Sequence, residues 1–193
     1  SIPNMGEMID RCYTNVMSFE HTFYCAEPYV TYICEKSGYK VEERVKFKED
    51  HSVFYVARRD RTAGAENNFF NKYAENKKKF LAWKKRQEEI VNKINVELEK
   101  LSADRRIYIF GAHVNTQYLL AFHLNIENVK GILDNDPHKQ GKRLYGTKLL
   151  VSSPDVLCGG DYPVVILRGG THNLEIKDSI LRINRAVQFI EGE

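Results

Sequence analysis

IYIFGAHVNTQYLLAFHLNIENVKGILDNDPHKQGKRLYGT, residues Ile107 to Thr147, is the stretch that decides the fold. It starts as an apolar strand, breaks at Gly111, continues as a helix, and returns as a second apolar strand ending in Asp134-Asn135-Asp136. Parallel strands need a crossover of this kind, so the pattern predicts a βαβ unit. In open α/β sheets ligands gather beyond the carboxyl ends of the strands, which makes Gly111 and the Asp134 cluster the first place to look for function.

Moving toward the C-terminus, Tyr162 to Leu167 is a third apolar run that ends in Arg168-Gly169-Gly170, and Leu174 to Ile183 follows as a helix. Alternating strand and helix predicts, for residues 105–193, a small Rossmann-like parallel sheet with flanking helices. Upstream, residues 61–104 are rich in Lys, Glu and Asn. Their apolar members Phe69, Tyr73, Phe80, Trp83, Ile90, Ile94, Leu98 and Leu101 recur at helical spacing. This predicts one long linking helix, with Asn76 as the place where it could be interrupted, and a candidate surface for homodimer formation. Its lysine blocks, Lys77-Lys78-Lys79 and Lys84-Lys85-Arg86, read as the solvated face opposite the stripe.

Residues 1–60 form an N-terminal piece of helix plus β-hairpin. Pro28 to Lys36 reads as a helix with proline in its first turn and Gly38 just past its end. Tyr39 to Phe47 and Ser52 to Ala57 flank the polar Lys48-Glu49-Asp50-His51 connection, as the two strands of an antiparallel hairpin would.

Composition narrows the function classes. A net charge of +3 in 193 residues gives no electrostatic argument for nucleic acid. No apolar run approaches the ~20 residues of a membrane-spanning helix, and Ser1-Ile2-Pro3 lacks the features of a signal peptide, so neither membrane nor secretion is expected and the chain reads as cytoplasmic. Cys12, Cys25, Cys34 and Cys158 form no CxxC pair and have no histidine at metal-ligand spacing, which predicts free thiols and no metal site.

The motifs discriminate further. Gly111 stands where the first glycine of a dinucleotide turn would, but Ala112, His113, Val114, Asn115 and Thr116 follow it without a second or third glycine. Neither NAD nor S-adenosylmethionine is therefore expected to bind this chain. Asp134 lies about twenty residues beyond the turn, where an acid can meet a ribose hydroxyl. The same residues also suit a plain Asx turn ahead of Pro137. Lys139 and Lys142, in the loop Lys139-Gln140-Gly141-Lys142-Arg143, could neutralise phosphate oxygens on the same sheet edge. Gly111, Asp134, Asn135, Lys139 and Lys142 are thus the candidate substrate-binding residues. In the N-terminal piece Glu20-His21 sets a carboxylate beside an imidazole, a pairing from which general bases are made, and His51 precedes the last strand.

These residues resemble a known family. FGAHVNTQYLL, ILDNDPHKQGKRLYGT, the VSSPD turn and VVILRGGTHNLEI are similar to the C-terminal domain of S-adenosylmethionine-dependent C-methyltransferases acting on nucleotide-linked deoxysugars. The segment before them, with its Pro-headed helix, Glu20-His21, and hairpin with His51, resembles the end of that family's catalytic domain. Two positions differ: the family's tyrosine two residues before the glutamate is Ser18 here, and its His-Gly-Gly is His51-Ser52-Val53. The resemblance implies a three-part enzyme with a zinc-binding portion, a Rossmann-like domain for S-adenosylmethionine, and a C-terminal Rossmann-like domain that helps hold the nucleotide sugar. It implies a base that removes a proton beside a sugar ketone, with His21 in that role, Glu20 orienting it, and His51 as a further catalytic candidate. The glycine-rich donor-binding motif and the zinc cysteines are expected upstream of Ser1, so the chain reads as a fragment that is inactive alone. Two rival readings are a non-catalytic Rossmann-like module that binds a nucleotide sugar or small ligand, and a scaffold that dimerises through the long helix.

Overall fold

A computed structural model describes residues 1–13, 24–48, 51–60, 62, 71–101, 103–159 and 161–192. Two compact units result, Ser1–Arg86 and Gln87–Glu193.

The N-terminal unit holds a short strand β1 (Ile2–Pro3), helices α1 (Met5–Asp10) and α2 (Glu27–Lys36), and the hairpin strands β2 (Tyr39–Phe47) and β3 (Ser52–Arg59). The sheet is antiparallel in the order β1-β3-β2. Helix α2 starts and stops as its sequence demands. Pro28 occupies the first turn, and past the last turn Gly38 takes φ +78° while its N–H donates to the Glu35 carbonyl. The hairpin register pairs Val45 with Phe54 and Lys46 with Val53. Because partners across a strand pair share a face, Val53 is buried on one side while Val45 and Phe54 remain about half exposed on the other.

Helix α3 (Tyr73–Glu99) is continuous across Asn76, where the sequence allowed a break. Trp83, Val91 and Ile94 are buried, as is the polar Gln87, and Trp83 Nε1 donates to the Tyr13 carbonyl at 3.0 Å. Tyr73, read as part of the apolar stripe, is exposed, and Phe69 lies outside the described residues.

The C-terminal unit is the predicted Rossmann-like parallel sheet. Its strands are β4 (Ile107–Phe110), β5 (Val129–Leu133), β6 (Val151–Ser152), β7 (Val164–Leu167) and β8 (Gln188–Ile190), in the order β6-β5-β4-β7-β8 and all parallel. Helix α4 (Val114–Ala121) crosses from β4 to β5, and α5 (Asn173–Ile183) from β7 to β8. The two-residue side-chain period divides the core into two layers. Ile107, Ile109, Ile132, Val164 and Ile166 pack with Val91 and Ile94 of α3 and Leu119 of α4. Phe110, Leu133, Val165 and Leu167 pack on the other face with Ile180 of α5 and Leu157. Strands buried on both faces read as unbroken apolar runs, which is how IYIF and VVIL read. Among the described residues no helix is long and apolar enough to cross a membrane.

One glycine in this sheet is forced by packing. A Cβ on Gly131 would lie 2.9 Å from the Leu150 carbonyl oxygen, a backbone atom that also accepts the Ile132 N–H at 2.9 Å. Gly131→Ala should therefore lower unfolding free energy by about 1–3 kcal/mol, since the β5 edge must shift to admit one methyl group. Gly6→Ala, with open space around it on α1, should be neutral or slightly stabilising. Denaturant melts of both variants check the contrast, and a Gly131→Ala protein as stable as wild type would refute it.

Candidate functional site

Strand order reverses between β4 and β7, since β5 and β6 lie on one side of β4 and β7 and β8 on the other. Such a switch point opens a crevice at the carboxyl ends of the strands. Here the crevice is bounded by Gly111-Ala112-His113 after β4 and by Arg168-Gly169 after β7, and Asn115 Nδ2 donates across it to the Arg168 carbonyl at 3.2 Å.

The turn after β4 is closed by the chain itself. Gly111 sits at φ +101°, and a Cβ there would come within 2.1 Å of His113 Nε2, so the imidazole lies directly over the glycine. His113 also caps α4: its Nδ1 accepts the Asn115 N–H at 3.2 Å, and its carbonyl accepts the Thr116 N–H. Thr116 Oγ1 in turn donates to the Gly111 carbonyl. The ring thus takes one of the N–H groups at the start of α4, that of Asn115, and the His113 carbonyl takes the next. The His113 ring therefore occupies the space directly over Gly111.

Asp134, at the end of β5, is buried and fully engaged. Its Oδ2 accepts the Ala112 N–H at 2.8 Å and the Lys139 ammonium at 3.0 Å, while Oδ1 accepts the Asp136 N–H at 2.9 Å. The last bond is an Asx turn, and a second follows from the His138 N–H to Asp136 Oδ1. Gln140 Nε2 closes the loop on the Asp134 carbonyl at 3.0 Å. Burial disfavours the Asp134 charge, but the N–H groups of Asp136 and Ala112 and the Lys139 ammonium outweigh it and hold the carboxyl below its ordinary value. Burial, and then the Lys139 charge, push the His113 imidazole below its ordinary value against a smaller pull from Asp134.

The predicted substrate residues thus divide. Gly111, Asp134 and Lys139 come together in one network, whereas Asn135 and Lys142 are exposed beside it. Lys142 joins the loop only through its backbone, its carbonyl accepting the Val151 N–H at 2.8 Å. Sequence reasoning missed His113, Asn115 and Arg168, which border the crevice. The Arg168-Gly169-Gly170 break was the available signal for the last of these, and Gly169 is tied down by its N–H bond to Asn173 Oδ1 at 2.6 Å.

In the N-terminal unit Glu20 and His21 lie outside the described residues. His51 is exposed at the start of β3, its Nδ1 2.6 Å from Ser52 Oγ. The four cysteines are free thiols. Among the described residues no group of three or more His, Cys, Asp or Glu is placed to hold a metal ion.

A family model described as the C-methyltransferase C-terminal domain matches residues 54–184, more than half of the chain. No curated protein matches it.

The rim makes an acid-side prediction. A lowered folded pKa means that His113 contributes its full stability above the unfolded value of about 6.5 and loses it as pH falls toward the folded value. Wild-type stability should decline as pH falls below about 6.5. His113→Asn should flatten that decline, because the amide oxygen can still accept the Asn115 N–H but does not titrate in this range. Equal slopes in denaturant melts of the two proteins below that pH would show that His113 is not responsible.

Proposed function

The chain belongs to the C-methyltransferase C-terminal domain family, and we propose that it is the substrate-side portion of an S-adenosylmethionine-dependent C-methyltransferase acting on a nucleotide-linked deoxysugar. Family membership across residues 54–184 is the observation that carries this reading. The methyl donor would supply an electrophilic methyl group, and the His113 ring over Gly111 supports a donor site elsewhere in the enzyme.

In this reading the chain's own groups bind the acceptor and move a proton. Asp134 and Lys139 are fixed to one another, so they organise the rim and leave the outward Asn135 and Lys142 to meet hydroxyl and phosphate oxygens. His21, oriented by Glu20, takes the proton from the carbon beside the keto group. The electron pair of that C–H bond passes to carbon and is delocalised onto the carbonyl oxygen as an enolate, whose carbon is the nucleophile. His51 is the second proton-handling group.

Methyl transfer to a nucleotide-linked keto sugar, measured in the enzyme that carries this chain, tests the reading. His21→Ala should lower kcat by roughly a hundred- to ten-thousandfold, the range of a lost general base. Glu20→Gln should cost less, because it keeps the geometry and removes only the charge. Asn135→Ala and Lys142→Ala should raise acceptor KM with little change in kcat. A His21→Ala enzyme with wild-type kcat would remove His21 from the chemistry.

A further inference from the structure

His51 is held more tightly than its exposure requires. Its backbone N–H donates to the Lys48 carbonyl at 2.9 Å, and its carbonyl accepts the Asn4 N–H at 3.1 Å, which ties the hairpin connection to the segment after β1. Its imidazole is fixed as well. Nδ1 is bonded to Ser52 Oγ at 2.6 Å, and the Phe47 ring meets the imidazole edge to face, with centroids 5.5 Å apart and an interplanar angle of 90°. Phe47 is itself covered by the Lys48 ammonium, 5.4 Å from its ring centre. Lys48 reaches this position with φ +45°, an uncommon backbone state for a residue with a side chain. Ordering a solvent-exposed ring sacrifices rotamer entropy. With Nδ1 engaged, Nε2 is the nitrogen left to face a ligand.

We infer that Ser52 is a positioning residue: its hydroxyl, with the Phe47 ring as a wall, fixes the His51 imidazole so that Nε2 is presented to the acceptor. This rests on the reading above in which His51 handles a proton. No new chemistry is required. The proton that His21 removes from the sugar carbon passes on to the Nε2 lone pair of His51, whose direction the hydroxyl has set. A carbon in place of Oγ leaves the ring free to rotate about χ1 and χ2, and misplacement of a proton-transfer group by about 1 Å can lower a rate by up to about a hundredfold.

The test has a kinetic and a spectroscopic arm. In the enzyme that carries this chain, Ser52→Ala should lower kcat ten- to a hundredfold while acceptor KM stays within about twofold, Ser52→Thr should recover most of the rate because it keeps the hydroxyl, and His51→Gln should lower kcat at least as far as Ser52→Ala. In the chain itself, the His51 ring nitrogen resonances should move in Ser52→Ala and stay near their wild-type positions in Ser52→Thr, whatever the activity. Unchanged His51 resonances in Ser52→Ala would overturn the inference. So would wild-type kcat in Ser52→Ala alongside a crippled His51→Gln enzyme. Wild-type kcat in both His51→Gln and His21→Ala is a different pattern, and it would overturn the proton-transfer reading on which the inference stands.

Discussion

The carboxylate of Asp134 is the contact on which the rim of the parallel sheet depends. It ends β5, accepts the first N–H after the β4 turn, closes its own Asx turn, and anchors Lys139. A buried carboxylate is costly unless its lone pairs are used, and here two N–H groups and an ammonium use them. The same bond holds Ala112 in place beside Gly111, whose positive φ brings the following residue back over the strand end. His113 then fills the space that a second glycine would leave open. A turn built for phosphate in dinucleotide-binding proteins is used here for self-contact between His113 and Gly111.

That arrangement explains what could be read in advance. The apolar runs were legible because strands buried on both faces are apolar along their length: β4 and β7 fall within such runs, and β5 does so over residues 131–133, after the exposed Lys130. The edge strands β6 and β8 were not, since two or three residues carry no period and their pairing is supplied by a neighbour already in place. Helix α2 was legible from its proline and its glycine, both of which act locally. Gln87 and Val91 escaped the stripe reading of α3: the first is polar, and burial along a helix is decided by what packs against it. At the site, the sequence left Asp134 balanced between a ribose contact and an Asx turn; the Asx bond to the Asp136 N–H is present. His113 could not have been found this way, because one imidazole can point to solvent, to a ligand or back onto Gly111 without any change in the pattern around it.

The hairpin unit shows how differently the two sides of one strand pair can be treated. On the side of Val53 and Tyr55 the β3 side chains are covered, and burial, followed by the nearby Glu27 charge, pushes the Tyr55 phenol up to about 12. The Tyr55 hydroxyl is buried without a hydrogen-bond partner among the described residues, so the side chain contributes shape to this packing. On the other side Val45, Phe47, Phe54 and Val56 are each about half exposed. Phe47 is the member of that row whose ring meets His51, so the apolar face and the histidine are joined at the same hairpin turn.

Helix α3 limits what the long helix can do for assembly. Val91 and Ile94 are core residues of the C-terminal unit, with Ile90 and Leu98 packed against the same cluster, so that stripe is already committed to covering β4 and β7. Removing it from the sheet would expose Ile109, Val164 and Ile166, each of which is nearly or wholly buried. Any homodimer made through this helix is consequently confined to its exposed residues, which include the apolar Tyr73, Leu81 and Val96 beside charged ones. Along Lys85, Glu89, Lys93 and Glu97 lysine and glutamate alternate at four-residue spacing, an arrangement that stabilises a single solvated helix through its own i,i+4 pairs and offers a partner screened charge. A contact between two copies on that face would be sensitive to salt, whereas the burial that holds α3 to its own sheet would not.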